Sequence, residues 1–139
     1  SEISVAVNGA TSSEAFLAAA LFGSMGAGSQ LKLTPYQSAA EAAQAVARGQ
    51  CEKGIVICTT GIGISIAANK VKGIRCALCG DPSSAELTRR HNNANMLAMG
   101  AGIIGPMMAE RIVDIFLDTA FEGGRHERRV NLLMDIEKE

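Results

Sequence analysis

Gly54-Ile-Val-Ile-Cys58-Thr59-Thr60-Gly61-Ile62-Gly63-Ile-Ser-Ile-Ala-Ala-Asn69 decides the fold. A short apolar run, Ile55 to Ile57, ends in Cys58, and a Thr-Thr-Gly-Ile-Gly turn follows. Beyond it the pattern becomes helical, with small residues at Ala67 and Ala68. An apolar run, a glycine turn and a helix together predict strand, loop and helix of an α/β unit. At such a junction the backbone N–H groups of the loop and first helical turn point outward and attract anions. A thiol at Cys58 and a hydroxyl at Thr60 add a base and a hydrogen-bond donor at the same mouth. A helix N-terminus also lowers a thiol pKa and favours thiolate. A lone cysteine at a strand end is otherwise a small buried hydrophobe. The dinucleotide fingerprint fits poorly, because Gly61-x-Gly63-x-x places Ile66 where a third small residue belongs, although Asp81 lies at about the expected distance onward.

The chain has 139 residues, the size of one domain with a real core, and the expected organisation is a single domain over 1–139. Hydrophobic residues make up 47% and glycines number 15, so close packing of helices on a sheet is expected. A net charge of -1 gives no general attraction to nucleic acid or membrane. No apolar run reaches the length of a membrane span, and no basic-then-apolar leader opens the sequence. Four cysteines among so many aliphatics do not suggest a disulfide framework, so a reducing, cytoplasmic setting is expected.

Outward from the central stretch, Ile3–Val7 predicts a first strand. Ser12 or Ser13 caps an expected helix through Phe16, Leu17 and Leu21, which breaks at the Gly/Ser-containing stretch 23–29. Leu31–Thr34 predicts a second strand, and Ser38 opens an alanine-rich helix to Arg48, closed by Gly49. Ile74–Cys79 reads as a fourth strand and Ser83 to about His91 as its helix. Asn95–Met99 reads as a fifth strand, followed by a helix from Gly105-Pro106 to about Thr119. A last helix runs from Arg125 to about Lys138. Strands alternating with helices specify a parallel sheet covered on both faces. Ligands of such sheets sit beyond the carboxyl ends of the strands. Asn8, Cys58, Asp81 and Gly100 fall on that edge.

His91 follows Arg89 and Arg90 and precedes Asn92 and Asn93; it serves either as a solvated helix end or as a proton-transfer group. Arg125 and Arg129 are four apart and share a helical face, with Arg128 beside it. Positive charge at a helix start is unfavourable for the helix dipole, and a bound anion offsets that cost. Cys76 and Cys79, three apart on a strand, point to opposite faces, which suits packing better than shared metal or disulfide chemistry.

Taken together, Cys58 through Lys70, Gly73-Ile74-Arg75, His91-Asn92-Asn93-Ala94-Asn95 and Glu122-Gly123-Gly124-Arg125-His126-Glu127-Arg128-Arg129-Val130 resemble the ribose-5-phosphate isomerase B family, which includes the galactose-6-phosphate isomerase subunits. The resemblance runs from about Gly54 to Ile136. It implies a Rossmann-like three-layer α/β/α sandwich with a five-stranded parallel sheet. It also implies a homodimer, often paired into tetramers, with active sites between subunits. The implied chemistry is aldose–ketose isomerisation through an enediolate, with no cofactor and no metal. By the same resemblance Cys58 moves the proton between C1 and C2 while Thr60 positions the thiol or substrate oxygen. Backbone N–H groups of Thr59, Thr60, Gly61, Ile62 and Gly63 stabilise the oxyanion. His91 opens the sugar ring, Asn92 contacts hydroxyls, and Arg125 and Arg129 hold the phosphate.

The chain departs from the family where an Asp-His pair usually follows the first strand: Asn8-Gly9 stands there. A phosphate-contacting arginine is replaced by Gly102, a tyrosine by Ser83, and the usual Asp-Tyr-Pro segment is reduced to Thr34-Pro35-Tyr36. Three readings follow: an isomerase of another sugar or sugar acid, with Asn8 among its contacts; a phosphopentose isomerase with contacts from elsewhere; or a non-catalytic sugar-phosphate-binding subunit. Retention of Cys58, Thr60 and His91 together argues against the last.

Overall fold

Alternation along the strands sorts the side chains into two cores. Val5 and Val7, Ile55 and Ile57, Leu97 and Met99 point to one face of the sheet, while Ala6, Val56, Met96 and Ala98 point to the other. Every one of these is buried, so the strands are apolar throughout, as a sheet covered on both faces requires. A computed structural model describes residues 2–9 and 30–139. The helix expected through Phe16, Leu17 and Leu21, and the stretch 23–29, lie outside the described residues.

The strands are β1 (Glu2–Gly9), β2 (Gln30–Pro35), β3 (Lys53–Cys58), β4 (Cys76–Leu78) and β5 (Met96–Gly100). They form one parallel sheet in the order β2-β1-β3-β5-β4. The helices are α1 (Ala39–Ala47), α2 (Ile62–Asn69), α3 (Pro82–Asn92), α4 (Pro106–Asp118) and α5 (Arg125–Asp135), with a 3-10 turn at Ile136–Lys138. Helices α1 and α2 cover one face, where small side chains such as Ala42, Ala43, Ala45 and Ala68 let them lie close. Helices α3 and α4 cover the other through Ala85, Ala109, Ile112, Val113 and Phe116. This is the Rossmann-like three-layer arrangement expected.

Helix boundaries follow their caps. Ser38 accepts a hydrogen bond from the Glu41 N–H at 3.1 Å and starts α1. Asp81 accepts from the Ser84 N–H at 2.7 Å and from its hydroxyl at 2.8 Å, so it caps α3. The carboxylate that weakly resembled a ribose ligand therefore has a structural partner. The edge strand β4 is shorter than the expected Ile74–Cys79. At its start the Arg75 N–H turns to Asn95 Oδ1, 2.8 Å away, instead of extending the ladder. The outer side of Cys76 is paired by the Asn69 amide, which donates to its carbonyl at 2.9 Å and accepts from its N–H at 2.8 Å. A side chain thus blunts a free sheet edge. Cys76 and Cys79 belong to the two opposite cores, as their spacing requires. Burial pushes their thiols up to about 12 and about 11.

A buried cation, Arg89, and a half-buried one, Arg75, tie the amino edge together. Arg89 donates to the carbonyls of Thr119 (3.0 Å) and Ala94 (2.6 Å) and lies 5.8 Å over the Phe116 ring. Arg75 donates to the Asn93 carbonyl at 2.8 Å. Among the described residues no helix is long and apolar enough to cross a membrane.

Phe116 is fully buried under α3 and the sheet. Phe116→Ala is expected to lower unfolding free energy by ~3–5 kcal/mol in urea titration. A loss under about 1 kcal/mol would mean that the face closes over the cavity.

Candidate active site

Cys58 ends β3 at the carboxyl edge of the sheet, beside Gly100 at the end of β5. The chain then turns sharply, and two glycines make the turn possible. Gly61 caps α2 in the left-handed region at φ 79°, and an added Cβ there would lie 2.6 Å from Leu78 Cδ1 and 2.7 Å from the Met99 carbonyl carbon. A Cβ on Gly100 would lie 2.5 Å from the Thr60 carbonyl oxygen. The loop after Cys58 is pressed onto the end of β5 and stitched there by Ala101 N–H to the Cys58 carbonyl (2.9 Å) and Gly102 N–H to the Thr59 carbonyl (2.8 Å).

That turn aims the start of α2 at the thiol. The first turn of a helix has N–H groups without intrahelical acceptors. Gly61 N–H donates to Cys58 Sγ at 3.2 Å, and Ile62 N–H donates to Thr60 Oγ1 at 3.2 Å. Burial pushes the Cys58 thiol up. Donation from the Ile64, Gly61 and Thr60 N–H groups and the Thr60 hydroxyl outweighs it, so the thiol sits below its ordinary value. Of the N–H groups expected to face an oxyanion, those of Gly61 and Ile62 have partners within the loop. Gly63, exposed in the first helical turn, keeps an N–H with no intrahelical acceptor. Thr59 and Thr60 are exposed beside it.

Asn8 is on the same edge, paired with Val56. Its amide donates to the Tyr36 carbonyl at 2.9 Å, fastening the end of β1 to the chain leaving β2. Gly102 packs on Thr59: a Cβ would lie 3.0 Å from both the Thr59 Cγ2 and its carbonyl oxygen. An arginine at that position would press on the loop that orients Cys58.

The remaining candidates are elsewhere. Helix α3 begins at the carboxyl edge and runs back, so His91 and Asn92 arrive at the amino edge, where the Gly54 N–H meets the Asn95 carbonyl at 3.0 Å. There His91, Asn92 and Arg129 line a cleft of about 660 Å³ with Arg75, His126 and Leu133. Arg125 begins α5 nearby, exposed, one turn before Arg129. Neither guanidinium pairs with a carboxylate among the described residues. Within one chain the thiol and this cleft are at opposite ends of β3, roughly 17–20 Å apart at ~3.3 Å per residue. The sequence groups these residues by chemistry, and the fold gathers them as two clusters at opposite edges of the sheet.

Sequence reasoning missed two residues of the second cluster. His126 is buried and stacks on His91 with ring centroids 4.2 Å apart and planes 12° apart. Glu122 Oε1 lies 3.4 Å from His126 Nε2. The available signal was a Glu and a His four apart across the glycine pair, in a chain with only two histidines.

A family profile described as Ribose/Galactose Isomerase matches residues 17–133. The chain belongs to this family. It is 50% identical over 100 residues to ribose-5-phosphate isomerase B of Escherichia coli, covering 72% of this chain and 67% of that one. It is 50% identical over 82 residues to D-erythrulose-4-phosphate isomerase of Pectobacterium atrosepticum, covering 59% and 54%. These alignments span between about half and two thirds of the relatives' length. The solved type B ribose 5-phosphate isomerase of Trypanosoma brucei is similar at a TM-score of 0.92 and 32% identity, over 98% of this chain and 99% of that one.

Alkylation followed by mass spectrometry tests the donor set around Cys58. Cys58 is expected to react with a midpoint below that of an ordinary thiol, ~8.5. Cys76 and Cys79 should stay protected. Thr60→Val should move the Cys58 midpoint upward, since it removes a donor that favours thiolate. A Cys58 midpoint at or above the ordinary value would remove the donors' effect on the thiol.

Proposed function

We propose that the protein is a cofactor-independent aldose–ketose isomerase of a sugar phosphate, of the ribose 5-phosphate/ribulose 5-phosphate type. The observation that carries the reading is the donor set around Cys58, which favours a base on a strand end open to substrate. In the forward direction the Cys58 thiolate removes the proton from C2 of the open-chain aldose. The electron pair moves into a cis-enediolate with its charge on O1. The O2 hydroxyl proton passes to O1, and the thiol returns its proton to C1 as the C2 carbonyl forms, giving the ketose. Thr60 holds the sulfur in register, since its hydroxyl accepts from Ile62 N–H and donates toward the thiol. The free N–H of Gly63 and the adjoining loop at Thr59 face the developing oxyanion. His91 assists ring opening, Asn92 contacts hydroxyls, and Arg125 and Arg129 hold the phosphate as a charge-assisted clamp.

These roles need both half-sites together. The distance between them in one chain supports a single-domain protomer whose site is completed by a second copy. Cys58 and its loop come from one protomer, and His91, Asn92, Arg125 and Arg129 from its partner. Asn8 and Gly102 leave the Cys58 side without the family's usual polar pair and arginine, so phosphate binding rests on the arginines of α5.

Turnover of ribose 5-phosphate is expected, and Cys58→Ala should abolish it while leaving circular dichroism unchanged. Activity retained in Cys58→Ala would remove the base. A substrate panel in which only some other sugar reacts would reassign the substrate and leave the chemistry.

Mixing two inactive variants tests the shared site. Cys58→Ala with His91→Ala should recover about a quarter of wild-type activity after random subunit exchange, because one intact site forms per mixed dimer. No recovery, with exchange demonstrated by mass, would place both residues in one chain's site.

A further inference from the structure

His91 reaches the cleft as one half of a stacked pair. Its partner ring, His126, is only 7% exposed, whereas His91 is half-buried. His126 is in turn held from behind: Glu122 approaches its Nε2 at 3.4 Å, and the other oxygen of Glu122 accepts from Arg90 Nε. Arg90 also reaches Glu86 at 3.4 Å, one turn earlier on α3, and its carbonyl accepts from the Glu122 N–H at 3.1 Å. A line of contacts therefore runs from α3 through Glu122 to the start of α5 and ends on the face of the His91 ring.

The donor atoms of His91, Glu122 and His126 lie within 4.8 Å of one another, a spacing that invites a metal. The ring geometry opposes it. Imidazole lone pairs lie in the ring plane, and two nearly parallel planes stacked face to face cannot both aim at one ion. Glu122 is moreover occupied by Arg90.

We infer that His126 is a positioning residue: it is the platform that fixes the plane of His91 at the cleft, so that one ring nitrogen is presented to the sugar's ring oxygen or anomeric hydroxyl. The inference rests on the assignment of His91 to ring opening. A flat partner removes the freedom of the imidazole to swing about its side-chain bonds, and proton transfer depends on that orientation. Charge favours the same division of labour. Burial, then His91 and Arg125, hold the His126 imidazolium below its ordinary range; Glu122 opposes this and Arg129 adds to it. The neutral form of the buried ring is thereby favoured, in keeping with its stacking on His91.

The test separates ring opening from isomerisation. A pentose 5-phosphate closes a furanose through its 4-oxygen. An aldotetrose 4-phosphate has that oxygen blocked by phosphate and reacts as an open chain. His126→Ala is expected to lower kcat on ribose 5-phosphate at least ~10-fold more than on erythrose 4-phosphate, a partial loss of the ~10²–10⁴-fold that a positioned proton-transfer group contributes. His126→Phe, which keeps a flat ring without its nitrogens, should restore most of that difference. His91→Ala should show the same selectivity for the cyclic sugar. Equal losses on both sugars in His126→Ala, with selectivity retained in His91→Ala, would overturn the platform and leave His91 its role. Failure of His126→Phe to restore the cyclic activity would likewise overturn it. Loss of selectivity in His91→Ala as well would overturn the ring-opening assignment and the platform with it.

Discussion

The contact between Gly100 and the Thr60 backbone is the constraint from which the site follows. Strands β3 and β5 are neighbours, and the loop leaving one must cross the end of the other with no side chain between them. Because it can, the start of α2 points back at Cys58, the Gly61 N–H donates to the sulfur, and the neighbouring N–H groups help to hold the thiol below its ordinary value. A methyl group at either Gly61 or Gly100 would lift the loop and redirect those donors. The same helix start would then serve solvent rather than a thiolate.

The sheet order explains why the candidate residues lie at opposite edges. Insertion of β5 between β3 and β4 brings Gly100 beside Cys58, and it obliges α3 to carry the chain from the carboxyl edge back to the amino edge. Everything α3 delivers at its end, His91 and Asn92 included, is therefore remote from the thiol of the same chain. Arg75 and Arg89, whose guanidiniums are held by backbone carbonyls, fix that end of the molecule. The cleft is a built feature of the amino edge, rigid on one side and lined by the arginine-bearing α5 on the other.

The substitutions that set this chain apart have local structural accounts. Asn8 uses its amide to secure the Tyr36 carbonyl, and Gly102 lies where a larger side chain would crowd Thr59. Both fall on the Cys58 edge of the sheet, whereas His91, Arg125 and Arg129 gather at the opposite edge.

The sequence by itself determined the layers, the parallel sheet and the chemistry of the thiol loop. These depend on short continuous apolar runs, on caps such as Ser38 and Asp81, and on glycines at a strand-to-helix turn, all of them local signals. It also placed Cys76 and Cys79 on opposite faces by parity alone. It could not supply the strand order, the shortening of β4 by the Asn95 side chain, or the stack of His126 on His91. Those depend on contacts between segments distant in the chain: Asn95 against Arg75, Glu122 against Arg90, and the end of β5 against the loop after β3. Only the tertiary structure decided that one chain's catalytic candidates gather at opposite edges of the sheet, because only packing says which end of a helix lies beside which end of a strand.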